Sequence, residues 1–329
     1  MSETVAVGGG KRRERAVKAA ASEPAVWGLV GNTPLIPLPP LTASDRPLPS
    51  VFLKAEWFNP GGSVKDRAAL FILRDGLARG LLPRRRLLDA TSGNTGVAYA
   101  MLGAAAGIGV TVCVPANANA ERKALLEAYG AEVVLTDSLE GSDGAIRRAR
   151  ELAAREPERY WYADQYNHPA NPQAHTATTA EELWRQTEGR ITHLVAGLGT
   201  TGTLMGTGRR LKQLNPAVEL IAVQPDSPFH GLEGLKHLAT AIVPGIYDPA
   251  LPDRTEFVAS EDADDAVRRY ARQGLFVGWS AGAAVVAAER LVTAPDRPRP
   301  PSSAVIVVIA PDSGMRYLSD HDRLAGNAS

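Results

Sequence analysis

Residues 86–114 read RLLDATSGNTGVAYAMLGAAAGIGVTVCV. The apolar run Arg86 to Ala90 gives way to polar and glycine residues, then to the alanine-rich stretch Thr95 to Ala106 closed by Gly107, then to the apolar run Val110 to Val114 stopped by Pro115. Short apolar runs bounded by breakers are strands, and an alanine-rich stretch between them is a helix. A strand, a helix and a second strand in that order are a βα unit of a parallel sheet. The pattern continues with a helix over Ala120 to Tyr129 capped by Gly130, a strand at Glu132 to Leu135, a helix around Ile146 to Arg155 and an aromatic strand at Tyr160 to Tyr162. Asn167-His168-Pro169-Ala170-Asn171-Pro172 then breaks regularity and reads as a hinge. A second series follows: strand Ile191 to Ala196, helix Leu204 to Leu211, strand Glu219 to Val223, helices Asp262 to Arg272 and Ala281 to Leu291, and the buried strand Ala304 to Ile309. The expected fold is α/β, with two αβα domains on mainly parallel sheets. They are placed at 24–168, whose first segment is free to pack on the other domain, and at 169–329.

The chain has 329 residues, with 36 Lys plus Arg against 36 Asp plus Glu. A net charge of zero supplies no strong positive field for nucleic acid. With 44% hydrophobic and 22% charged residues there is material for sizeable cores. The single cysteine, Cys113, excludes an intrachain disulfide framework and a multi-cysteine metal site, and fits a reducing, cytoplasmic setting. The longest apolar stretches, such as Ala304 to Pro311, run about eight residues against the roughly 20 that a membrane-crossing helix needs. Residues 1–23 carry Gly8-Gly9-Gly10 followed by Lys11, Arg12, Arg13, Arg15 and Lys18 without an apolar segment, and read as a mobile tail. None of the histidines is spaced as a metal ligand set.

Polar and glycine residues collect in four stretches, where an open α/β sheet binds ligands outside its strand ends. Asn59-Pro60-Gly61-Gly62-Ser63-Val64-Lys65 sets a lysine at a helix start, where the helix dipole disfavours a cation. Thr91-Ser92-Gly93-Asn94-Thr95-Gly96 offers hydroxyls, an amide and free backbone N–H groups at a helix N-terminus, an anion site. Gly197-Leu198-Gly199-Thr200-Thr201-Gly202-Thr203 contains G-x-G-x-x-G, but the next strand ends in Gln224 where a dinucleotide site wants an acid. Its threonines suit a phosphate monoester instead. Gly278-Trp279-Ser280-Ala281-Gly282 would by itself read as an N-cap at Ser280. It also matches a hydrolase nucleophile elbow, which lacks a suitable partner because the only later histidine is His321.

Taken together with Gly31-Asn32-Thr33-Pro34-Leu35, these stretches resemble, in order from Val26 to Leu318, the fold type II pyridoxal-phosphate enzymes of the cysteine synthase family, the O-acetylserine and O-phosphoserine sulfhydrylases. The resemblance implies the tryptophan synthase β-like fold, a pyridoxal 5'-phosphate cofactor and a homodimer. By position, Lys65 matches the Schiff-base lysine and Asn94 the partner of the cofactor's phenolic oxygen. Gly199, Thr200, Thr201, Gly202 and Thr203 match the phosphate cradle, Ser280 the hydroxyl at the pyridine nitrogen, and Thr91, Ser92, Thr95 and Gln165 the group that receives the substrate carboxylate.

The implied reaction is β-replacement on an activated L-serine through an aminoacrylate, with sulfide or a sulfur-carrier protein as nucleophile and Lys65 as base. The basic loop Pro225 to Pro244, with His230, Lys236 and His237, is where the leaving group is expected to be read. Lys236 would meet a phosphate as a point charge, without arginine's fork, so the donor stays open between O-acetylserine and O-phosphoserine. Alternatives are a cystathionine β-synthase-type enzyme of the same fold, a nicotinamide oxidoreductase on the Gly197 stretch, and a catalytically silent binding partner.

Overall fold

The computed structural model describes residues 23–39, 47–91, 93–294, 298–319, 323 and 325. Residues 1–22 of the tail, Ser92 and His321 lie outside them. Glu23, assigned to the tail on sequence grounds, is tied to the body by Arg74, whose Nε donates to Glu23 Oε1 at 2.8 Å.

The strands are β1 Leu35–Pro37, β2 Ser50–Ala55, β3 Arg86–Ala90, β4 Val110–Pro115, β5 Glu132–Thr136, β6 Tyr160–Tyr162, β7 His193–Gly197, β8 Glu219–Pro225, β9 Arg254–Val258 and β10 Val305–Ala310. The α-helices are α1 Lys65–Ala78, α2 Asn94–Ala105, α3 Ala120–Ala128, α4 Gly141–Arg155, α5 Ala170–Ala174, α6 Ala180–Gln186, α7 Gly202–Leu214, α8 Ser260–Ala271 and α9 Trp279–Thr293. β5-β4-β3-β6 form a four-stranded parallel sheet, and β1-β2-β10-β7-β8-β9 a six-stranded sheet, parallel except for β1 on β2.

Both sheets are covered on two faces, which is why their central strands read as continuous apolar runs. On the small sheet, Leu87, Val110 and Val112 pack with Leu73 of α1 and Leu102 of α2, while Leu88 and Cys113 pack with Ile146 and Ala149 of α4. On the large sheet, Val195, Ile221 and Ile306 face α8 and α9, and Leu194, Leu220 and Val307 face α6 and α7. β2 pairs with β10 across its whole length, so residues 50–55, with β1 on their outer edge, join the sheet whose other four strands come from residues after 190.

The 167–172 stretch is irregular only to Pro169, because α5 starts at Ala170 and continues through a π-helical turn, His175–Thr179, into α6. The loops after β3, β7, β8 and β10 all leave the C-terminal ends of their strands and meet in one cleft. No helix among the described residues is long and apolar enough to cross a membrane.

Candidate active site

The loop that carries Lys65 is held from both sides. Asn59 Nδ2 donates to the Glu56 carbonyl at 2.8 Å, Asn59 Oδ1 accepts from Gly31 N at 2.8 Å, and Val64 N donates to the Pro311 carbonyl at 2.8 Å. Gly62 sits at φ +76°, a backbone region open to glycine, so the chain can turn there into α1. Lys65 is the first residue of that helix, and its side chain enters the cleft. Burial lowers the amine's proton affinity, against the opposing pull of Asp312 and Glu56. A lysine so placed spends more time as the neutral nucleophile.

The loop after β3 is shaped by Thr91. Gly93 precedes α2, and Thr91 Oγ1 accepts from Gly93 N at 3.1 Å and Gly96 N at 3.3 Å. Thr95 Oγ1 donates to Gln165 Oε1 at 2.8 Å, and Gln165 Nε2 donates to the Ala90 carbonyl at 2.7 Å. One amide N–H of Gln165 is then left for a ligand. Behind it, Asp89 Oδ2 accepts from Gln165 N at 3.2 Å and Tyr99 Oη at 3.0 Å, and burial pushes this carboxyl up to about 7.

The third stretch turns from β7 into α7 through Thr201, which takes a left-handed conformation at φ +70°. Asn171 Nδ2 donates to Thr200 Oγ1 at 3.0 Å, and Thr203 Oγ1 lies 3.3 Å from His175 Nε2. Burial, aided by Arg67 and Lys65, holds His175 neutral with its proton affinity down at about 3. A Cβ at Gly199 would overlap the Gly234 carbonyl, and one at Gly202 would overlap Asn171 Oδ1. Thr201 Oγ1 is buried without a partner among the described residues. An orphaned hydroxyl and a bare backbone at the start of a 13-residue helix fit a phosphate monoester. The dinucleotide reading fails at Gln224, whose Oε1 accepts from Leu238 N at 3.1 Å and so anchors a loop.

In the fourth stretch the N-cap of α9 is Gly278, with no side-chain cap bond, which corrects the N-cap reading of Ser280. Ser280 is buried in the helix's first turn and lines the cleft. The structure brings Lys65, Thr91, Asn94, Thr95 and Gln165 around one cavity with Gly199, Thr200, Thr201, Thr203, Ser280 and Lys236. Gly202 begins α7 behind the cradle and does not line it.

Lys236 faces inward, 7% exposed, and is not a solvated loop cation. Its Nζ lies 3.0 Å from Asp143 Oδ1 and 5.0 Å from the Tyr166 ring centroid, so its charge is already balanced. Arg122 pairs with Glu233 at the same entrance. Sequence reasoning missed Asp143, Asp312 and Arg316. For the last two the polar run Asp312-Ser313-Gly314-Met315-Arg316 after a buried strand was the available signal. An outer cleft of about 710 Å³ lined by Glu140, Ser142, His230 and His237 opens onto the cavity, room for an amino acid and a second reactant.

A family model described as pyridoxal-phosphate dependent enzyme matches residues 26–312. A cysteine synthase of Aquifex aeolicus is 52% identical over 294 residues, 88% of this chain and 89% of the relative. Cysteine synthase B of Escherichia coli is 41% identical over 293 residues, 88% of this chain and 93% of the relative. Among solved structures, a cysteine synthase (OASS) of Entamoeba histolytica superposes with a TM-score of 0.84 at 30% identity, covering 98% of this chain and 94% of the other. An O-ureido-L-serine synthase gives 0.80 at 38% identity, covering 89% and 93%.

Proposed function

The chain belongs to the pyridoxal-phosphate dependent enzymes and makes cysteine by β-replacement, and we propose that Lys65 carries the cofactor and that O-acetylserine is the donor. The single observation that supports the site is the Lys65 amine, without a hydrogen-bond partner among the described residues, facing the cavity that holds the orphaned Thr201 hydroxyl. When bound, the cofactor supplies an aldehyde for covalent capture of an amine and a ring that takes up electron density.

The chain's own residues do the rest. Gly199, Thr200, Thr201 and Thr203 would hold the phosphate at the N-terminus of α7, with Gly202 packed behind them against Asn171, and Asn94 would donate an N–H to the phenolic oxygen. Thr91, the backbone N–H of Thr95 and the remaining N–H of Gln165 would receive the substrate carboxylate, which would set the Cα–H toward Lys65. Lys65 Nζ would take that proton, a task suited to an amine whose proton affinity burial lowers. Ser280 would offer the pyridine nitrogen a neutral hydroxyl in place of a charged partner, which leaves that nitrogen unprotonated. Protein supplied with O-acetylserine and sulfide should release cysteine and acetate, and failure with both serine donors would sink the reading. Ser280→Asp is expected to slow turnover about tenfold or more, the size of a charge-assisted hydrogen bond, and to change the absorbance of the bound cofactor. An unchanged rate and spectrum would leave Ser280 as packing alone.

The donor assignment rests on charge. An O-phosphoserine phosphate brings close to two negative charges and would have to approach Lys236 beside Asp143, with Glu233 near the same entrance. A neutral acetyl ester meets no such competition. Asp143→Asn should free Lys236 and raise O-phosphoserine turnover about tenfold, with O-acetylserine turnover nearly level. Lys236→Ala should leave O-acetylserine turnover within about twofold, since the acetyl group draws on no charge-assisted bond there. Equal responses of the two donors in steady-state assays would show that this ion pair does not read the leaving group.

A further inference from the structure

Asn94 is gripped at both ends of its amide. Its Nδ2 donates to Asp312 Oδ2 at 2.6 Å, and its Oδ1 accepts from Arg316 Nη1 at 3.0 Å. Turning the amide over would set its oxygen against a carboxylate and its N–H pair against a guanidinium, two repulsive contacts in place of two charge-assisted hydrogen bonds. One N–H of Asn94 is spent on Asp312 and the other remains.

The gripping groups are themselves fixed. Asp312 is 1% exposed, its Oδ2 also accepts from Tyr317 Oη at 2.6 Å, and its carbonyl accepts from Gly278 N at 3.1 Å. Arg316 Nε donates to the Gly62 carbonyl at 3.2 Å, and its Nη2 donates to the Gly61 carbonyl. The segment after β10 thereby ties the loop before Lys65, the start of α2 and the start of α9 to one another. Asp312 also lines the cavity.

We propose that Asp312 and Arg316 are positioning residues that lock the Asn94 amide with its free N–H turned to the cofactor's phenolic oxygen, and so set how tightly the cofactor is held. The inference rests on the reading of Asn94 given above and adds to it what orients the amide. The grip needs an acceptor at that atom: in Asp312→Asn the side-chain oxygen can still take both Asn94 Nδ2 and Tyr317 Oη, because both donate to the same atom.

The test follows the absorbance of the purified holoenzyme and the rate at which it loses pyridoxal phosphate on dilution. Asp312→Ala should release the cofactor about tenfold faster, the size of a lost charge-assisted hydrogen bond, and shift its absorption band. Asp312→Asn should stay within about twofold of the unaltered protein, since its hydrogen bonds are kept. In an Asn94→Ala background, Asp312→Ala should add nothing, since residues acting through one group are not additive. Arg316→Met should behave as Asp312→Ala does, and carries the test if the latter does not fold. Additive effects in the double variant, or an Asp312→Asn protein as impaired as Asp312→Ala, overturn the inference. An Asn94→Ala protein that keeps its spectrum and its cofactor strikes down the underlying reading of Asn94 and the inference with it. An impaired Asn94→Ala beside an unimpaired Asp312→Ala and Arg316→Met strikes down the inference alone.

Discussion

Lys65→Ala is expected to abolish cysteine formation and the yellow absorbance of covalently held cofactor, while the far-ultraviolet circular dichroism and the unfolding midpoint stay close to those of the unaltered protein. The two halves have separate causes. The Lys65 side chain has no hydrogen bond or ion pair among the described residues, and the bonds that shape its loop come from Asn59 and from the backbone of Val64. Removing the amine therefore takes away no structural contact, and relieves a buried cation at a helix N-terminus. Catalysis loses both covalent capture of the cofactor and the base at the substrate Cα, so no residual route through a neighbouring lysine is expected. Lys236 is the other lysine lining the cavity, and it is held by Asp143. A Lys65→Ala protein that stays yellow and turns over would overturn the assignment; a colourless protein that fails to fold would instead make Lys65 structural.

Which parts of this site were readable from sequence depends on how far apart in the chain the interacting residues lie. The unit Arg86–Ala90, Asn94–Ala105, Val110–Pro115 departs from its sequence reading by about one residue at each end, because strand, glycine and helix signals there are local. β2 was unreadable for a reason the structure supplies: Lys54 interrupts its apolar run, and its charge is met by Glu182, 128 positions later and 2.7 Å away. β9 hides in the polar alternation of an edge strand. α5 and α6 hide behind Pro169 and Pro172, although a proline in a helix's first turn lacks only an N–H that would go unpaired anyway. The same division runs through the site. Glycines and hydroxyls at strand ends announce a cradle by themselves. Asp143 and Asp312 acquire meaning only from partners 93 and 218 positions away, which no local pattern encodes.

Glu182→Gln is expected to cost about 3–5 kcal/mol of stability, the usual size for breaking a buried ion pair, and to do so in a pH-dependent way. Glu182 accepts from Lys54 Nζ at 2.7 Å, from Arg67 Nη1 at 2.7 Å and Nη2 at 2.8 Å, and from Asn32 N at 2.9 Å. The Lys54 and Arg67 side chains are fully buried, so a neutral amide in that place strands positive charge. Glu56, which accepts from Arg67 Nε at 2.7 Å and from Thr33 Oγ1 at 2.8 Å, compensates in part, while Lys54 keeps only the neutral acceptors of the Thr33 carbonyl and Gln186 Oε1. This network also accounts for the Gly31-Asn32-Thr33-Pro34-Leu35 stretch, whose Asn32 N–H and Thr33 carbonyl it holds. Burial opposes ionisation of Glu182, but Arg67 and Lys54 outweigh it and bring its proton affinity down to about 2 from the ordinary 4.5. A depressed carboxylate stabilises the fold fully above pH 4.5, and that contribution fades as pH falls toward about 2. Urea unfolding at a series of pH values should therefore show the two proteins far apart at neutral pH and converging in acid. Because Arg67 lies two residues from Lys65 on α1 and would keep only its Glu56 and Thr33 partners, the variant should also bind cofactor less tightly at neutral pH, where the helix start is held by fewer bonds. A stability gap below about 1 kcal/mol, that of an exposed pair, or one that stays constant down to pH 3, would show that Glu182 does not hold this network together.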